Sequence, residues 1–127
     1  MKWLIDASAP IYSQLIAQVK LGIVSGGYAP GERLPSVRDL ALDAGVNPNT
    51  MQRALTELER DGLVFSQRTA GRFVTEDKKV IDDAKLGLAE ATIRSFLDAM
   101  GRLGYMRDEI IDLLASRIKE EKGNASI

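Results

Sequence analysis

The stretch LPSVRDLALDAGVNPNTMQRALTELERD, from Leu34 to Asp61, decides how the rest of the chain is read. It reads as two short helices joined by a tight turn. In the second, Asn47 stands before Pro48, an N-cap followed by a proline at the first helical position, where its missing N–H costs nothing. Met51, Ala54, Leu55 and Leu58 then recur at i, i+3, i+4 and i+7, which places them on one buried stripe. The opposite face carries Asn49, Gln52, Arg53, Thr56 and Arg60. No acid stands in the N-terminal half of this helix. Glu57, Glu59 and Asp61 all fall in the C-terminal half, where they oppose the helix dipole by a few tenths of a kcal/mol, roughly. That arrangement suits a helix whose first turns approach phosphates. Asn and Gln pair bidentately with adenine, and Arg with guanine.

The preceding helix has its own start. Ser36 is its N-cap, and Asp39 three residues on completes an acidic capping box. Val37, Leu40, Ala41 and Ala44 make the apolar stripe, and Gly45 supplies a left-handed stop. Helix, glycine-containing turn, helix is the helix-turn-helix pattern. Arg38 lies in the first turn, where a cation and backbone N–H groups can meet one phosphate. Such helix pairs also occur in proteins that bind no nucleic acid, so periodicity alone leaves both readings open.

Working outward, residues 6–25 read as a first helix. Pro10 lies in its first turn, Tyr12, Leu15, Ile16, Val19 and Ile23 form its stripe, and Gly26-Gly27 ends it. Pro30-Gly31 marks a turn, and Pro35 keeps Leu34 extended. After Asp61-Gly62 the period changes to that of strands. Leu63 to Arg68 reads as one strand, Thr69-Ala70-Gly71 as a turn, and Arg72 to Thr75 as the returning strand. A hairpin with a glycine tip between Arg68 and Arg72 suits a minor groove, whose narrow floor concentrates negative potential. An ordinary surface hairpin with solvated arginines is the alternative.

Bulk properties bound the possibilities. The chain has 127 residues, 45% hydrophobic and 28% charged, as expected of one globular domain or two small ones. It has no run of 18 apolar residues, so no membrane span is expected. The Trp3-Leu4-Ile5 run is too short for a signal peptide, and cytoplasmic residence is the default expectation. With no cysteine and no histidine, the chain lacks disulfides, thiolate metal sites and the commonest general base. No cofactor, metal site or enzymatic activity is expected. The net charge is −1. Residues 1–75 hold 8 Lys/Arg against 7 Asp/Glu, and residues 76–127 hold 9 against 11. Any basic surface must therefore come from placement, not from total charge.

Several ordered stretches carry a family resemblance: Gly27-Tyr28-Ala29-Pro30-Gly31-Glu32-Arg33-Leu34-Pro35-Ser36-Val37-Arg38, Val46-Asn47-Pro48-Asn49-Thr50, Arg53-Ala54-Leu55, Leu58-Glu59, Gly62-Leu63 and Gly71-Arg72-Phe73-Val74. Over residues 8–75 the chain resembles the GntR family of bacterial transcription regulators. The resemblance implies a winged helix-turn-helix that binds double-stranded operator DNA as a homodimer. It implies DNA contacts at Arg38 beside Ser36, at Asn47, Asn49, Thr50, Gln52 and Arg53, and at the wing tip, Thr69, Gly71 and Arg72; Arg68 joins them as a candidate from the hairpin reading above. One departure is a threonine, Thr69, where many members have glycine.

Residues 76–127 read as two helices. In the first, from about Asp77 to Arg102, Leu86, Ala89, Ile93, Leu97, Met100 and Leu103 form one stripe. Ile81, Ala84, Leu88, Ala91 and Ala99 form a second. Gly101 and Gly104 bracket a turn. The second helix, from about Arg107 to Glu121, carries Ile110, Ile111, Leu113, Leu114 and Ile118, with Asp108 and Glu109 in its first turn. Leu103-Gly104-Tyr105 and Glu109-Ile110-Ile111-Asp112-Leu113-Leu114 are similar to the short-tailed YtrA-type branch. That branch usually has a polar cap where Met106 stands, so fraying is expected there. Two helices make no adequate private core, so the tails are expected to pair across a twofold axis through Leu86, Ile93, Leu97, Met100, Ile110, Leu114 and Ile118. From Lys119 the end is expected to fray, and Asn124-Ala125-Ser126 matches a glycosylation pattern by chance.

The expected fold is thus mainly α with a small β-hairpin: a winged helix-turn-helix at 1–75 and a two-helix dimerisation segment at 76–127. The expected function is a sequence-specific transcription regulator, read as a repressor, binding an inverted-repeat operator as a homodimer. The alternative is a winged helix used for protein contacts. The operator, the regulated genes, the sign of regulation and any small-molecule effector are not readable from the sequence.

Overall fold

The structure, a computed structural model, describes residues 2–125, with side chains described through Lys122. Its elements run α1 (Ile11–Val24), α2 (Val37–Ala44), α3 (Pro48–Arg60), β1 (Val64–Gln67), β2 (Gly71–Val74), α4 (Lys78–Arg102) and α5 (Arg107–Ala125). The chain divides into two compact units, Met1–Leu88 and Ala89–Ile127.

The first unit is a winged helix-turn-helix. Its core joins Leu15, Val19 and Ile23 of α1 to Leu40 and Ala41 of α2 and to Met51, Ala54, Leu55 and Leu58 of α3, closed by Leu34, Leu63, Val64 and Val74. The stripes predicted for α1, α2 and α3 therefore point inward. Local chemistry sets the helix ends. Ser36 Oγ accepts from Asp39 N–H at 3.1 Å. Gly45 takes φ 71°, which lets Val46 N–H reach back to Ala41 C=O at 3.0 Å. Asn47 Oδ1 then accepts from Asn49 N–H at 2.8 Å and opens α3. Two caps separated by so short a turn fix the angle between α2 and α3.

The wing pairs β1 with β2 in antiparallel register, Val64 opposite Val74 and Gln67 opposite Gly71. A third segment, not expected from the sequence, runs along β2. Gly31 N–H donates to Val74 C=O, Val74 N–H to Glu32 C=O and Leu34 N–H to Arg72 C=O, each at 2.9 Å. The extension that Pro35 imposes on Leu34 thus serves pairing as well as turning.

Two boundaries differ from the sequence reading. The first helix starts at Ile11, after the N-cap Pro10, not at residue 6. Residues before it form an extended arm held by glutamines of α1. Gln18 exchanges hydrogen bonds with Leu4, from the N–H at 2.8 Å and to the C=O at 2.6 Å. Gln14 does the same with Asp6, at 2.7 and 2.6 Å. Side-chain amides one helical turn apart thus serve alternate residues of the arm as the edge of a neighbouring strand would. Trp3 Nε1 donates to Asp43 of α2 at 2.8 Å. At the other end, Val80, Ile81 and Ala84 of α4 pack against the core, which carries the first unit past Thr75 to Leu88.

The second unit holds the rest of α4 and all of α5. Gly104, at φ 97°, makes the turn, while Gly101 stays helical inside α4. The expected fraying at Met106 is countered from the other side, because Glu109 accepts from Met106 N–H at 2.9 Å. This is the return half of a capping box. The last helix continues past Lys119 to Ala125. The glycosylation-like pattern ends at Ser126, outside the described residues. Among the described residues, no helix is long and apolar enough to cross a membrane.

Candidate nucleic-acid interface

Three elements bring the candidate residues to the surface of the first unit: the start of α2, the outer face of α3 and the wing. Ser36, Arg38, Asn47, Asn49, Gln52, Arg53, Arg68, Thr69 and Gly71 are exposed, while Thr50 and Arg72 are half-buried. Exposure alone does not make them equivalent. The Ser36 hydroxyl and the Asn47 amide oxygen are already acceptors for backbone N–H groups. Their first duty is to cap the helices. The cations divide in the same way.

Arg53 lies with its guanidinium carbon 4.7 Å from the centre of the Tyr12 ring, a cation–π distance. By spacing Tyr12 belongs only to the α1 stripe, and nothing in the sequence announces this second use. The contact holds a long, entropically costly side chain over one spot on the α3 surface without spending any of its hydrogen-bond donors. Arg38 and Arg68 are exposed and form no ion pair among the described residues.

Arg72 is placed differently from the sequence reading, which put it beside Arg68 at the wing tip. Its Nε donates to Glu59 Oε1 at 2.8 Å, with both side chains largely covered. Ser66 Oγ donates to the same carboxylate oxygen. The physical reason is register. Ser66 and Arg72 are cross-strand partners, so they share the face that carries Val64 and Val74 inward, beside the end of α3. A residue thirteen positions away in sequence cannot be linked to Arg72 by local periodicity.

Two of the three acids at the end of α3 are thereby paired, while Asp61 caps the helix at its far end from the first turn. Glu59 is neutralised by Arg72, and Glu57 pairs with Arg60 at 2.9 Å. Asp39 lies at the first turn of α2 with its own N–H bound to Ser36. The first turn of α3 has no acid. A chain of net charge −1 thus still presents cations at α2, α3 and the wing that form no ion pair among the described residues. The wing tip is strained. Thr69 has φ 71°, the one positive φ at a described non-glycine residue, and Gly71 has φ 106°. Among the described residues no group of three or more acids could hold a metal ion.

This geometry can be set beside known proteins. The model of the bacterial regulatory proteins, gntR family, matches residues 11–74. The chain is 37% identical over 107 residues to the uncharacterized HTH-type transcriptional regulator YhcF of Bacillus subtilis, covering 84% of this chain and 88% of that protein. It is 44% identical over 73 residues to the HTH-type transcriptional repressor YtrA of the same organism, covering 58% and 56% respectively. A GntR family transcriptional regulator from Listeria monocytogenes superposes with a TM-score of 0.80 at 37% identity, covering 88% of this chain and 98% of that one. The AraR DNA-binding domain, solved in complex with operator ORX1, matches with a TM-score of 0.54 at 25% identity, over 59% of this chain and 96% of that one. The similarity to YtrA agrees with the short-tailed branch suggested by the Leu103–Leu114 motifs. From α1 to the end of the wing, by sequence and by fold, this chain belongs to the gntR family of bacterial DNA-binding transcription regulators.

Proposed function

We propose that the protein is a cytoplasmic, homodimeric repressor that binds an inverted-repeat operator, with residues 1–75 contacting DNA and residues 76–127 pairing two copies. The observation that carries the DNA reading is the sorting of charge. Glu57 and Glu59 are consumed by Arg60 and Arg72, whereas Arg38 and Arg68 are exposed and Arg53 is held over Tyr12. In this reading Arg38 and the backbone of α2 set register on phosphates, while Gln52 and Arg53, with Asn49 and Thr50 beside them, read base edges. Arg68 and the turn at Thr69 and Gly71 approach the minor groove. Repressor-named relatives and an operator complex within the family support the sign of regulation and the ligand.

The pairing of tails is supported by what α4 and α5 leave uncovered. Leu86, Ile93 and Ile118 are each more than half exposed, at 57%, 56% and 56%, and Leu114 is 43% exposed. Leu97 and Met100 are half-buried. Ile110 stands apart, because its own chain already buries it. Its part in pairing is to hold α5 in place, not to meet a partner. A run of this size along two helices is the kind of surface that a second copy covers.

Titrating duplex DNA at several salt concentrations tests the reading. Phosphate contacts release counterions, so log K should fall steeply and linearly with log[salt]. A slope near zero would favour a winged helix that contacts protein.

A further inference from the structure

Arg33 has no part in the interface assigned above, yet the wing is built around it. It pairs with Phe73 across the edge of β2, and Phe73 pairs with Phe65, the two rings stacking at 5.8 Å. Cross-strand partners share a face. Arg33 therefore emerges on the face opposite the one that carries Arg72 to Glu59. Its side chain lies over Gly71, where an added Cβ would come within 3.0 Å of Arg33 Nε and 3.4 Å of Nη2. The absence of a side chain at Gly71 is what makes room for the guanidinium beside the wing tip. Arg33 also borders a cleft of about 360 Å³ shared with Ser36, Gln67 and Thr69, between the wing and the start of α2. It is exposed and forms no ion pair or hydrogen bond among the described residues. Glu32, its neighbour, is occupied in accepting from Ala29 N–H at 2.9 Å.

We propose that Arg33, lying over Gly71, is the wing's second phosphate-contacting arginine and takes with Arg68 the role that spacing assigns to Arg72. This rests on the DNA-binding reading. A guanidinium offers a planar fork of donors matched to two phosphate oxygens. Glu59 already occupies the Nε of Arg72, whereas among the described residues no acceptor takes a donor of Arg33.

The test is a salt titration of duplex binding by the full chain and by Arg33→Ala and Arg33→Lys, on a selected operator and on random duplex, with thermal unfolding as the folding control. Arg33→Ala should leave the unfolding midpoint in place, because the side chain has no partner to lose. It should weaken binding several-fold on both duplexes at 0.1 M salt and reduce the slope by about 0.9 for each bound protomer. Arg33→Lys should keep most of the slope, since the charge remains. An unchanged slope for Arg33→Ala beside a steep wild-type slope would overturn the assignment alone. A loss confined to the operator would also overturn it, because a phosphate contact carries no sequence information. A flat slope for the wild-type chain would overturn the DNA-binding reading, and this assignment with it.

Discussion

Glu59 of α3 accepts a hydrogen bond from Nε of Arg72 in β2 at 2.8 Å, and with Ser66 of β1 on the same oxygen this contact ties the wing to α3. Both side chains are less than a third exposed, so the pair is shielded more than a surface ion pair would be. Removing Arg72 leaves the partly covered Glu59 carboxylate with Ser66 alone, and removing Glu59 leaves the partly covered guanidinium without its acceptor. Glu59→Ala and Arg72→Ala should each lower unfolding free energy by roughly 1–3 kcal/mol. The double variant should lose less than the sum. Denaturant unfolding of the three variants measures the coupling. Strictly additive losses would show that the contact contributes nothing of its own.

Thr69 offers a gain. A β-branched residue at φ 71° occupies a conformation that costs an L-residue about 1–2 kcal/mol and glycine almost nothing. Glycine loses part of that gain through the greater freedom of its unfolded chain. Thr69→Gly should therefore stabilise the protein by up to about 1 kcal/mol, seen as a higher urea midpoint at unchanged slope. A lower midpoint would mean that the threonine side chain is doing something that the hairpin needs.

Arg53 and Arg38 should fail in different ways. Arg53→Ala should lose on the order of 1–3 kcal/mol on the operator and relax preference at one position. Arg38→Ala should weaken all duplexes alike. Tyr12→Leu, which removes the ring under the Arg53 guanidinium, should reproduce part of the Arg53→Ala loss on the operator without altering random-duplex binding. Competition binding with operator and random duplex separates these cases. Equal losses on both duplexes for Arg53→Ala would refute base reading by that side chain.

Pairing through the tail predicts that charge on its exposed apolar residues dissociates the dimer. Leu114→Lys and Ile118→Asp lie on exposed positions of α5, so neither should disturb folding within one chain. Sedimentation of each should show monomer at concentrations where the unaltered chain is dimeric. Persistence of the dimer in both would move the interface elsewhere.

The features that could be read from sequence are those whose causes lie within a few residues. The caps Ser36 and Asn47, the stop at Gly45 and the stripes of α1 to α3 depend on neighbours one turn away, and all stand where spacing put them. The hairpin followed from the change of period after Gly62. The arm was different, because it is held by Gln14 and Gln18 reaching back to Asp6 and Leu4. Glutamine on a helix surface carries no mark of such a partner. The placement of Arg72 was hidden for a related reason. Its partner Glu59 is distant in sequence, and only the register of β1 with β2 turns the guanidinium toward it. The near-neutral net charge likewise said nothing of which acids are paired, since the pairing of Glu57 and Glu59 is a property of geometry and not of composition.

In the homodimer proposed above, two copies of the α3 surface read two half-sites of one duplex. Selection of bound fragments from a pool of random duplexes tests it most directly. The enriched fragments should share an inverted repeat whose half-site centres lie about 34 Å, one helical turn, or a multiple of it apart. Recovery of fragments with no shared sequence would contradict it.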